Sequence, residues 1–173
     1  MRTIAIISQK GGAGKTTLAV HLAVFAEQSG LMTAVIDLDP QATAAKWGDR
    51  REETPPEVIS AQAVRLPQLL TTAREGGADL TIIDTAPNSD STALAAAKAA
   101  DLILIPCRPA TFDLDAIGTT VDMAKLANIP AVVVLNAGRR AAPLRMRPEP
   151  WSPVMVFRLL QSACINAPPM PMP

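Results

Sequence analysis

Residues 8–17 read SQKGGAGKTT, directly after the apolar run Ile4-Ala5-Ile6-Ile7. These residue types suit a polyphosphate: glycines let backbone N–H groups turn inward around an anion, a lysine reaches the terminal phosphates, and a threonine hydroxyl binds Mg²⁺. Gly11, Gly12, Gly14, Lys15 and Thr16 supply those parts. The general pattern G-x-x-x-x-G-K-[ST] fits only if its first glycine is moved, because Gln9 stands five positions before Gly14. Lys10, at the loop's entrance, is a second cation that one nucleotide in one chain does not require.

Carboxylates appear where such chemistry needs them. Asp84 closes the apolar run Leu80-Thr81-Ile82-Ile83 and is followed by Thr85-Ala86-Pro87. It reads either as the acid that holds Mg²⁺ in a P-loop ATPase, directly or through a water, or as a plain capping or turn residue. Asp37 and Asp39, in DLDP, occupy the equivalent end of another strand, from which a carboxylate approaches a γ-phosphate sideways. Alternate residues of an extended strand face opposite ways, so the two acids take unequal roles. Asp39, abutting Pro40 outside the strand, is expected to place the attacking water; Asp37 is assigned to the metal with Thr16 and Asp84. The cofactors expected are therefore ATP and Mg²⁺.

Holding these groups together demands alternating elements. Apolar and β-branched runs predict strands over 3–7, 33–36, 58–60, 80–83, 102–105 and 131–135. Between them, helices are predicted over 15–28, with Leu18, Leu22, Phe25 and Ala26 at helical spacing, and over 41–48, 66–75, 91–100 and 113–127, the last carrying Ile117, Val121 and Leu126. Strands apolar on both faces and alternating with helices give an α/β fold, a mainly parallel sheet covered on both sides. Ligands of such sheets bind beyond the strands' carboxyl ends, where the glycine loop and all three acids fall.

A chain of 173 residues is of the size of one domain and can bury a real core. Its 16 basic and 16 acidic side chains balance, so there is no global attraction to nucleic acid or anionic membrane, and any such binding needs a local patch. No basic leader precedes the first apolar run, and no apolar stretch approaches the roughly 20 residues that span a bilayer, so a cytoplasmic protein without membrane contact is expected. Cys107 and Cys164 stand apart from any ligand pair and read as small hydrophobic fillers. From residue 139 the periodicity stops, and half of the 16 prolines fall in 139–173.

KGGAGKTT with its extra Lys10, then DLDPQ at 37–41 and IIDTAP at 82–87, resemble the ParA family of partition ATPases, relatives of MinD with a deviant phosphate loop. Residues 42–47 and PATFDLDAIGTTVD at 109–122 are similar to the small ParA branch, and the resemblance runs from Met1 to about Ala137. It implies a P-loop fold whose nucleotide, bound by Gly11, Gly12, Ala13, Gly14, Lys15, Thr16 and Thr17, is sandwiched in an ATP-dependent homodimer. Lys10 is implied to cross the interface to the partner's phosphates, Asp39 to orient water, Thr17 to touch an inner phosphate and Asn136 to read the adenine edge. A loop role for Asn136 is the plainer alternative.

The resemblance further implies a centromere-binding ParB-like adaptor, nonspecific DNA as a partner and nucleoid association where DNA binding is intact. It divides the chain into a ParA-like ATPase domain, 1–138, and an atypical Pro-rich tail, 139–173, expected to be disordered or out of frame, or else divergent and functional. In the latter case Arg139, Arg140, Arg145, Arg147 and Arg158 are candidates for phosphate contacts. An incomplete final layer would leave a nucleotide-binding module without effective hydrolysis or DNA binding. A MinD-like membrane switch needs a C-terminal amphipathic basic helix, for which 154–160 is too short.

Overall fold

The computed structural model describes residues 1–51, 55–108 and 111–136, with the side chains of 111–116 excepted. The expectations for the tail, 139–173, lie outside the described residues. Six parallel strands form one sheet in the order β3-β2-β4-β1-β5-β6. In chain order they are β1 (Arg2–Ile6), β2 (Thr33–Asp37), β3 (Glu57–Ser60), β4 (Leu80–Asp84), β5 (Leu102–Cys107) and β6 (Ala131–Leu135). The helices between them are α1 (Lys15–Gln28), α2 (Thr43–Asp49), α3 (Leu66–Glu75), α4 (Asp90–Ala99) and α5 (Thr111–Ala127), with a short 3₁₀ turn at Ala63–Arg65 before α3. Among the described residues, no helix is long and apolar enough to cross a membrane.

Both sheet faces are buried, which explains why the strands read as continuous apolar runs. Ala5, Ile7, Ile36, Ile83, Ile103 and Ile105 face one core, with Ala93, Ala96 and Ala97 of α4 and Ala124 of α5. Ile6, Val35, Ile82, Leu104 and Val134 face the other, under Leu18, Ala19, Ala23 and Ala26 of α1. The buried face of α1 is centred on Ala19, Ala23 and Ala26, so the backbone lies close to the sheet and Phe25 is left on its flank at 57% exposure. Leu126 is 75% exposed, because α5 presents Thr120 and Ala124 to the core and Leu126 lies on the opposite side.

The sheet places the site through its topology. β1 lies between β4 and β5: from β1 the chain builds β2, β3 and β4 on one side and then crosses to β5 and β6 on the other, so the switch in direction falls at the carboxyl end of β1, where open parallel sheets bind their ligands. In register, Ile6 of β1 pairs with Asp84 of β4, and Asp84 pairs with Asp37 of β2. The strand over 102–105 runs on to Cys107 despite Pro106, because the proline removes only its own N–H while β6 continues alongside, with Cys107 opposite Leu135. Asn136 N–H then donates to the Cys107 carbonyl at 2.7 Å, closing the ladder at the site.

Candidate nucleotide site

The loop from β1 into α1 turns on glycines with positive φ, Gly12 at +72° and Gly14 at +92°. Gly14 is the N-cap of α1 and no side chain caps the helix, so the first-turn N–H groups lack the side-chain acceptor that usually serves them. Lys15 opens α1 and is only 7% exposed. Its Nζ donates to the Ser8 carbonyl at 3.0 Å and the Lys10 carbonyl at 3.2 Å, lying across the base of the loop. Burial pushes its pKa down, opposed by the negative charges of Asp84 and Asp39. An ammonium in that position, in front of oriented N–H groups, is a receptor for a polyphosphate.

Asp84, at the end of β4, is fully buried, and neither carboxylate oxygen has a hydrogen-bond donor. Burial raises its pKa to about 7; the nearby Thr16 hydroxyl and Lys15 oppose the shift, while Asp37 and Asp39 add to it. Two orphaned oxygens beside a threonine hydroxyl fit a divalent cation. Among the described residues no cluster of three His, Cys, Asp or Glu could hold a metal by itself.

The two acids of DLDP part company, and in a way the sequence did not disclose. Asp37 is buried with both oxygens committed to backbone: Oδ1 accepts from Asp39 N–H at 3.0 Å, and Oδ2 from Ala44 at 2.9 Å and Ala45 at 3.2 Å. It caps α2 from the neighbouring strand, because Ala42, in the N-cap position, has no side chain that can do so. Asp39 is half-buried, its Oδ1 accepting from Gln41 N–H at 2.9 Å, and it lines an open cleft of about 400 Å³ between Pro40 and Pro87.

Asn136 follows β6 and donates from Nδ2 to the Ala13 carbonyl at 3.1 Å. A Cβ on Gly14 would collide with this amide, so Gly14 is required both by its φ and by its neighbour. Lys10 is exposed and close enough to Cys107 to oppose the rise that burial imposes on that thiol's pKa. Thr17 is exposed on the first turn of α1, and Gly11 has open space where a Cβ would stand. Two further contacts were not foreseen: Gln9, in the place of the displaced glycine, donates to Asp90 of α4 at 2.6 Å, and Thr85 Oγ1 donates to the Ile6 carbonyl at 2.9 Å; the Arg108 guanidinium also lies 3.6 Å from where a Cβ would stand on Gly12. Only Gln9 carried a local signal, its departure from the general loop pattern.

The profile of the CobQ/CobB/MinD/ParA nucleotide binding domain matches residues 4–147. The chain is 39% identical over 127 residues to the maintenance of carboxysome distribution protein A of Gloeobacter kilaueensis, covering 72% of this chain and 57% of that protein. It is 28% identical over 146 residues to the chromosome-partitioning ATPase Soj of Thermus thermophilus, covering 68% and 59%. The chain thus spans somewhat over half the length of these relatives. Among solved structures, cobyrinic acid a,c-diamide synthase of Mycobacterium smegmatis with a bound ATP analogue and magnesium superposes with a TM-score of 0.65 at 19% identity, covering 80% of this chain and 77% of that one.

Proposed function

The chain belongs to the CobQ/CobB/MinD/ParA nucleotide-binding family, and from that premise we propose that it is a Mg²⁺-dependent ATPase whose nucleotide-sandwich dimer drives segregation of a plasmid or chromosome. The observation that carries the reading is Asp84: two buried oxygens without donors, beside Thr16 and Lys15, at the uncapped start of α1. In this reading Gly11 to Thr17 wrap the phosphates, with Thr17 on an inner one, and Lys15 neutralises the β- and γ-phosphates. Thr16 and Asp84 hold the cation, which when bound with nucleotide withdraws charge from the phosphoryl group. Asp37 acts on that cation through the backbone it organises, and Asp39 places the attacking water. Asn136 braces the loop next to the adenine edge, and Lys10 reaches the partner's phosphates.

The partners that go with this function are a ParB-like adaptor that stimulates hydrolysis and nonspecific DNA as the track. The higher identity to a carboxysome distribution protein favours a second reading, the same dimer cycle positioning a protein assembly instead of a replicon. Equilibrium titration with a fluorescent ATP analogue tests what the two share. Lys15→Ala is expected to lower affinity by at least about 30-fold, since truncating one side of a buried charge pair costs about 2–5 kcal/mol. Unchanged affinity removes the loop from the site and the function with it.

A further inference from the structure

One cation beside the loop has no part in that scheme. Arg108 follows β5 immediately and is exposed. One terminal nitrogen of its guanidinium lies 3.6 Å from where a Cβ would stand on Gly12. The root of the side chain is held by the sheet: Cys107 is in the ladder with Leu135, its carbonyl accepts from Asn136 N–H at 2.7 Å, and its Sγ donates to the Arg108 carbonyl at 3.0 Å. Asn136 in turn grips Ala13, so β5, β6 and the loop are joined at one point and Arg108 projects from it.

We propose that Arg108 contacts the terminal phosphate of the nucleotide bound by its own chain, as a permanent cation at the open rim of the loop. The inference rests on the reading of this loop as an ATP site. Three carboxylates, those of Asp37, Asp39 and Asp84, gather at the site before any phosphate enters, and the loop itself supplies two cations, Lys10 and Lys15. Lys15 is buried at the base, bonded to the Ser8 and Lys10 carbonyls, while Arg108 is exposed beside Gly12. The two therefore approach a polyphosphate from different sides, Lys15 from the base of the loop and Arg108 from its open rim. A guanidinium suits that place: it stays charged at every physiological pH, and its planar fork matches two phosphate oxygens at once.

A terminal-phosphate contact is distinguished from a general effect on the loop by comparing nucleotides. ATP and ADP affinities are measured by calorimetric titration with Mg²⁺ for wild type, Arg108→Ala and Arg108→Lys, at protein concentrations where sedimentation shows monomer. Arg108→Ala is expected to lower ATP affinity about tenfold, the scale of one charge-assisted hydrogen bond, and ADP affinity by less than about twofold. Arg108→Lys is expected to recover part of the loss, and the salt dependence of ATP binding is expected to flatten in Arg108→Ala. Equal losses for ATP and ADP overturn the proposal in favour of a loop-shaping role. Unchanged affinities overturn it too, and if dimerisation alone is lost the arginine acts on the partner instead. Should Arg108→Ala not fold, Arg108→Gln carries the same comparison. A wild-type chain that binds neither nucleotide is a separate outcome, the failure of the ATP-site reading itself.

Discussion

Asp39 and Asp84 differ by environment, and the difference separates their tests. Asp39 is half-buried and lines the cleft, so its removal leaves the loop and Lys15 intact. Asp39→Ala is expected to bind ATP as wild type does and to hydrolyse it about 100-fold more slowly or worse, the scale of one positioned base. Single-turnover assays with matched Mg²⁺ measure this, and wild-type turnover would move the water-placing role elsewhere. Asp84 answers to pH. Its carboxyl is raised from 3.8 to about 7 by burial, so between those values the folded chain holds a proton that the unfolded chain has lost. Stability attributable to Asp84 is therefore full below about pH 4 and declines as pH rises toward 7, with a slope of at most about 1.4 kcal/mol per pH unit. Subtracting the urea-unfolding profile of Asp84→Asn from that of wild type isolates this term. A difference profile flat from pH 4 to 7 would mean that Asp84 is ionised in the fold as it is in the open chain.

At the level of elements, α1 starts where it does because Gly14 takes a left-handed φ and because Asn136 fills the space a side chain would need. Gly14→Ala is expected to lower the melting temperature, since the left-handed backbone alone costs roughly 1–2 kcal/mol for an L residue and the clash adds to it. Asn136→Ala should relieve the clash but not the backbone strain, so Gly14→Ala/Asn136→Ala is expected to melt above Gly14→Ala yet below Asn136→Ala. Thermal scans of the three variants check this; strictly additive shifts would show that the two residues do not meet. The same pair marks what a sequence discloses. The bounds of α1, α3 and β6 were legible because periodicity, Gly30, Gly76 and β-branched runs are local signals, and the phosphate loop was legible because its residues are contiguous. The grip of Asn136 on Ala13 joins residues 123 positions apart, and the capping of α2 by Asp37 depends on Ala42 being unable to cap it, so neither has a local pattern. The spacing of Phe25 marked the helix correctly, but which face α1 buries was not legible from it, because small alanines rather than large side chains set that face.

For the whole molecule, the question is why the loop carries two lysines. Lys15 is buried and faces inward to the Ser8 and Lys10 carbonyls, whereas Lys10 is exposed at the loop's entrance on the side of Cys107. A chain whose 16 basic and 16 acidic groups balance gains little long-range attraction between two copies, and in the proposed sandwich dimer a second cation that met phosphate only across the interface would tie assembly to nucleotide. On that mechanism Lys10→Ala binds ATP nearly as wild type does when monomeric, while ATP-induced dimerisation and hydrolysis fall together. Removing a cation beside the transferring phosphoryl group costs on the order of a few kcal/mol in the transition state, as for an arginine finger supplied in trans. Sedimentation with a nonhydrolysable ATP analogue, run on wild type and Lys10→Ala at equal concentration, reads the assembly step apart from the chemistry. Asp39→Ala serves as the counterpart, because a variant that binds ATP without hydrolysing it is expected to accumulate as dimer under the same conditions. If wild type dimerises and Lys10→Ala does so equally well with full turnover, Lys10 is a surface cation and the sandwich mechanism does not operate in this protein.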